Sequence, residues 1–82
     1  MHLHIVKMRN EQYLKAFGNH LSELMASKGK TPEDVAILGN LETKQVYRVR
    51  NGEHSATLSI IVSIAKGLEV HPKELFDFDI PH

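Results

Sequence analysis

Between residues 10 and 28 the apolar side chains Leu14, Phe17, Leu21, Leu24 and Met25 recur at steps of three and four, the spacing that lines one stripe of an amphipathic helix. Gly29 ends that helix, since a residue without a Cβ enters the left-handed conformation at no steric cost. Thr31-Pro32-Glu33-Asp34 opens a second. Thr31 suits the N-cap, Pro32 sits where a missing N–H costs nothing, and the Asp34 carboxylate faces the positive helix end. The turn pair Gly39-Asn40 stops this helix after about Leu38. Glu42 to Arg50 predicts a third helix, with Val46 and Val49 turned inward, Thr43, Lys44, Tyr47 and Arg48 turned outward, and Gly52 closing it.

Thr57 caps a fourth helix in which Leu58, Ile61, Ile64, Ala65 and Leu68 align. The β-branched residues Ile60, Ile61, Val62 and Ile64 would also suit a buried strand, but the length of the run and its cap favour helix. His71-Pro72-Lys73-Glu74 opens a fifth, short helix that returns Leu75 and Phe76 to the core. The pattern therefore predicts an all-α, five-helix domain over residues 10–77, with a tail at 78–82 and an arm or short strand at 1–9, where His2-Leu3-His4-Ile5 alternates polar and apolar.

Composition narrows the class. A chain of 82 residues holds one domain and buries about 60–65% of its unfolded surface, so a homodimer would add needed stability. Without cysteine the core must be packed aliphatic side chains, as expected of a cytoplasmic protein. The apolar run Leu58 to Leu68 is too short to cross a bilayer, and Met1 to Met8 lacks the regions of an export signal. Ten Lys and Arg balance ten Asp and Glu. That neutrality argues against a tight non-specific nucleic-acid binder and makes the placement of each cation decisive.

Two short helices joined by a tight corner form a helix-turn-helix, a pattern that many helical bundles contain. More specific are Thr31-Pro32-Glu33-Asp34-Val35-Ala36, Gln45-Val46-Tyr47-Arg48-Val49-Arg50-Asn51-Gly52 and the stretch Ile64 to Phe76, which includes Gly67-Leu68-Glu69-Val70 and Pro72-Lys73-Glu74-Leu75-Phe76. Together with the first helix these resemble the Cro/phage-repressor (XRE) helix-turn-helix family over roughly four-fifths of the chain. The resemblance implies that Ala36 is the small residue on which the motif's helices cross. It also implies that the exposed half of helix three reads base edges through Thr43, Lys44 and Arg48, with Gln45 and Tyr47 flanking them.

The chemistry agrees. Arg48 and Lys44 can donate to guanine, Gln45 can pair with adenine, and Thr43 can meet a thymine methyl or a phosphate. The starts of helices two and four, at Thr31, Glu33 and Thr57, are expected to hold phosphates with Arg50, Asn51 and Ser55.

Three departures from the family pattern involve four positions. Pro32 replaces a glutamine that in many relatives touches the DNA backbone. Met25 and Arg50 replace an arginine–glutamate pair, so Arg50 is expected to lay its stem on Met25 and turn its guanidinium outward. Gly39 replaces a large apolar residue, which predicts looser packing at the end of helix two.

A polar face such as Thr43-Lys44-Gln45 is most often merely solvated; the surrounding five-helix pattern is what favours DNA contact. The six histidines, at positions 2, 4, 20, 54, 71 and 82, are too scattered for a metal cage, and no cofactor is implied. His54 lies near the expected phosphates. No nucleophile has a suggested base and carboxylate partner, so an enzyme is not expected. Two readings remain: a dimeric, sequence-specific regulator of transcription on double-stranded DNA, expected to repress, or an antitoxin-like protein-interaction module on the same fold with weak or no DNA binding.

Overall fold

The computed structural model describes residues 10–79; the expected arm at 1–9, with His2 and His4, and the last residues of the tail lie outside the described residues. Helix α1 spans Glu11–Lys28, α2 Pro32–Gly39, α3 Thr43–Arg50 and α4 Leu58–Leu68. The fifth expected helix is a 3-10 turn over Pro72–Phe76. Five residues opened by proline are short for an α-helical nucleus, and the tighter ladder is the usual form of such a connector. No described helix is long and apolar enough to cross a membrane.

The punctuation is chemical. The Asn10 side chain accepts from the Tyr13 N–H and starts α1, and Gly29 ends it at φ 66°. Thr31 and Asp34 exchange side-chain-to-backbone bonds across the first turn of α2, at 3.1 and 3.0 Å. Asn40 ends that helix left-handed at φ 59°, as the turn pair predicts. Thr57 caps α4 through Ile60, and the helix prevails over the strand alternative.

Phe17, Leu21 and Met25 from α1 meet Val35 and Ala36 from α2, Val46 and Val49 from α3, the Ile61, Ile64, Ala65 and Leu68 stripe of α4, and Leu75. Each aliphatic side chain so buried contributes about 1.5–3 kcal/mol. Leu14 is only half-buried, outside the core cluster, and two further expected core residues are exposed. Leu58 is 77% exposed and Phe76 is 42% exposed. Only the inner face of Phe76 is covered, by the ring of Phe17 at 5.2 Å. Phe78 lays its ring against Tyr13, Phe17 and His20. His20 Nε2–H donates to the Glu74 carbonyl at 2.7 Å, tying the 3-10 turn to α1.

The expected looseness at Gly39 is overturned. Gly39 is buried, and a Cβ there would overlap the Ser63 carbonyl of α4; on the other side a Cβ at Gly67 would overlap the Val35 carbonyl. The missing side chains leave no void, because the two backbones close the gap. Gly39→Ala and Gly67→Ala should therefore each lower the unfolding free energy in urea by about 1–3 kcal/mol, although alanine in a helix interior otherwise gains about 1 kcal/mol. Unchanged or raised stability in both variants would show that the helices do not depend on this approach.

Candidate nucleic-acid interface

Three constraints aim helix α3. At its start the Gln45 Oε1 accepts from the Glu42 N–H at 2.9 Å, satisfying a donor that the first turn leaves without a helical partner. On its inner side Val46 and Val49 are buried at 0% and 2% exposure. At its end the backbone of Val49 and Arg50 lies against Gly18 of α1, where a Cβ would collide with both carbonyls. What remains outward is the expected set. Lys44 and Arg48 are exposed, and Thr43, Gln45 and Tyr47 are half-buried beside them.

Among the described residues the Lys44 and Arg48 head groups have no hydrogen-bond or ion-pair partner. Gln45 differs, since the oxygen it would need for a paired adenine contact is already held by the helix start. Tyr47 and Arg50 form a unit that the sequence does not announce. The Tyr47 hydroxyl donates to Glu33 Oε2 at 3.2 Å, and the Arg50 guanidinium sits 4.7 Å from the centre of the Tyr47 ring. The expectation for Arg50 is corrected in this respect: a guanidinium finds more attraction over an aromatic face than free in solvent, and the ring lies within reach.

The expected phosphate positions divide by what they still offer. Thr31 Oγ1 accepts from Asp34 N–H while its own N–H donates to Asp34 Oδ2, and the Val35 N–H is taken by the Thr31 carbonyl. Pro32 has no N–H, so Glu33 carries the one open donor at the start of α2 among the described residues. At α4, Thr57 Oγ1 holds the Ile60 N–H and its carbonyl the Ile61 N–H. The Leu58 and Ser59 N–H groups stay open, and Asn51 and Ser55 are exposed in the preceding loop. Open amides at a helix start, with the dipole behind them, favour an anion.

Two further contacts lie beside this surface. Lys30 and Glu69 pair at 3.0 Å, joining the turn before α2 to the residue after α4. An apolar groove of about 280 Å³ opens on the side of α1 and the α3–α4 loop, lined by Tyr13, Leu14, Phe17, His54, Leu58 and Phe76 among others. Exposed Leu58 and Phe76 carried the signal for it, since apolar residues on helical spacing that are not covered must border a surface.

Residues 20–80, about three-quarters of the chain, match the family model described as the Cro/C1-type HTH DNA-binding domain. The chain belongs to that family. It is a DNA-binding regulator of transcription by that membership and its likeness to controller proteins, and not an enzyme. Among solved structures, the restriction-modification controller protein C.AhdI from Aeromonas hydrophila is 36% identical with a TM-score of 0.73, over 77% of this chain and 96% of that one. The wild-type controller protein C.Esp1396I is 25% identical with a TM-score of 0.74, over 83% and 90%. The C.Esp1396I tetramer in complex with its natural 35-base-pair operator is 25% identical with a TM-score of 0.75. A search of curated proteins gives no match.

The cap that starts α2 also gives the fold's stability a pH dependence. The bond from the Thr31 backbone N–H, then that to the Thr31 side chain and the nearby Lys30 charge, hold the Asp34 carboxyl below its usual value. A lowered folded-state value means that the stabilisation is present above the unfolded value and is lost as pH falls through the folded one. The thermal midpoint of Asp34→Asn should lie below that of the native protein at pH 7, and the gap should narrow from about pH 4 downward. A gap that is the same at pH 7 and pH 3 would remove the carboxylate charge from the cap's contribution.

Proposed function

We propose that this protein is a sequence-specific regulator that binds double-stranded DNA as a homodimer in the cytoplasm, with α3 in the major groove and repression by occupancy as its outcome. The observation that carries the reading is the outward face of α3, where Lys44 and Arg48 are exposed and unpartnered while Val46 and Val49 anchor the opposite side. A helix of about 10–12 Å diameter fits a groove about 12 Å wide. Thr43, Lys44 and Arg48 are the base readers in this reading. Each bidentate contact would discriminate by about 1–3 kcal/mol.

The Glu33, Leu58 and Ser59 amides, with Arg50, Asn51, Ser55 and the Thr31 and Thr57 caps, would grip phosphates on either side. Such contacts set register without reading sequence. The similarity to C.Esp1396I, solved as a tetramer on its operator, supports both the DNA and the assembly of several copies. The groove bordered by Leu58 and Phe76 would receive the second protomer. A twofold pair would set its α3 helices about 34 Å apart on a partly palindromic site.

Selection of bound fragments from random duplexes should enrich one motif, and binding to it should weaken steeply with salt. A well-folded protein that enriches nothing would favour the protein-interaction module. On the selected duplex Arg48→Ala should lose specific affinity far more than non-specific affinity, whereas Arg50→Ala should lose both about equally. Equal losses for Arg48→Ala would remove it from base reading. Sedimentation should show a dimer that Leu58→Glu shifts to monomer, and an unaltered dimer would place the protomer contact elsewhere.

A further inference from the structure

We propose that Tyr47 is a positioning residue and not a reader of bases: it ties down the Glu33 carboxylate and the Arg50 guanidinium where α2 meets α3, so that a DNA phosphate arriving there meets donors and not a loose negative charge. The inference rests on the DNA-binding reading above. Its basis is a continuous chain of three side chains from two helices. The Tyr47 hydroxyl, a donor, is spent on Glu33 Oε2 at 3.2 Å. One face of its ring is occupied by the guanidinium at 4.7 Å. A tyrosine bonded at its hydroxyl and covered on one face has little left with which to contact a base edge.

The position of Glu33 gives the tie its purpose. Its own N–H is the open donor on the first turn of α2, where Pro32 has none and the Thr31 and Asp34 groups bond each other. An untethered carboxylate on that residue sweeps the space in front of that donor and repels a phosphate. The O–H bond takes up one of its oxygens and keeps it on the side of α3. The ring does the matching work for the cation, since a guanidinium already stacked loses less freedom when it bonds a phosphate.

The test is a cycle of Tyr47→Phe in the native and Glu33→Ala backgrounds, measured on the selected duplex and on a scrambled one of equal length. Phenylalanine keeps the ring and removes only the hydroxyl. In the native background affinity for both duplexes should fall about two- to fivefold with their ratio unchanged, and the loss should shrink as salt rises. In the Glu33→Ala background the same substitution should change nothing. Tyr47→Leu, which also removes the platform for Arg50, should lower the slope of log affinity against log salt by about one.

A loss confined to the selected duplex would make Tyr47 a base reader. Equal losses in both backgrounds, no loss in either, or an unchanged salt slope in Tyr47→Leu would each overturn the proposal. A native protein that binds neither duplex would contradict the DNA-binding reading itself, an outcome separate from all of these.

Discussion

The contact between the backbones of α2 and α4, with Gly39 on the Ser63 carbonyl and Gly67 on the Val35 carbonyl, is the constraint on which the rest of the structure depends. Two glycines, one on each helix, allow main chain to meet main chain, so the separation is set by hard contact and not by adaptable side chains. Helix α2 is thereby fixed to the longest apolar stripe after α1. Because α3 follows α2 after the single left-handed corner at Asn40, whatever holds α2 also aims α3. The Lys30–Glu69 pair bridges the turn before α2 and the end of α4, beside the same helix pair.

The interface follows from that rigidity. A helix of eight residues is too short to be stable alone, so α3 owes its existence to Val46 and Val49 beneath it and to the Gly18 contact at its end. Having spent its inner face on the core, it keeps Lys44 and Arg48 free for a partner. The protein's net neutrality is compatible with this, because acidic groups near the interface are engaged: Asp34 in the cap of α2 and Glu33 on the Tyr47 hydroxyl. A small domain can meet a polyanion without a large basic surplus when carboxylates beside the contact are held by donors and cations such as Lys44 and Arg48 are not held.

Much of this was legible in the chain. The stripe through Phe17, Leu21 and Met25, the Thr31 and Thr57 caps, the Asn40 corner and the burial of Val46 and Val49 all arise from interactions within one or two helical turns, which spacing and residue type encode directly. The outward set on α3 followed from the same periodicity, and its meaning came from the family resemblance. What escaped depends on contacts distant in sequence. Gly39 looked like a defect because its partner, Ser63, lies on another helix. The Arg50 guanidinium is expected in solvent because nothing local says that Tyr47 will present a ring to it, and the bond from Tyr47 to Glu33 spans two helices. Leu58 and Phe76 fit their stripes, yet Leu58 stays largely uncovered and Phe76 is only partly covered; periodicity states which face is apolar and not how far the bundle extends.

The most direct measurement is amide chemical-shift mapping of the isotopically labelled protein titrated with its selected duplex. The account predicts that the large changes gather at residues 43, 44 and 48 and at the Glu33, Leu58 and Ser59 amides, with little change at the exposed Ile37 and Leu38 on the far part of α2. Changes centred on Ile37 and Leu38, with α3 silent while the duplex is bound, would contradict it.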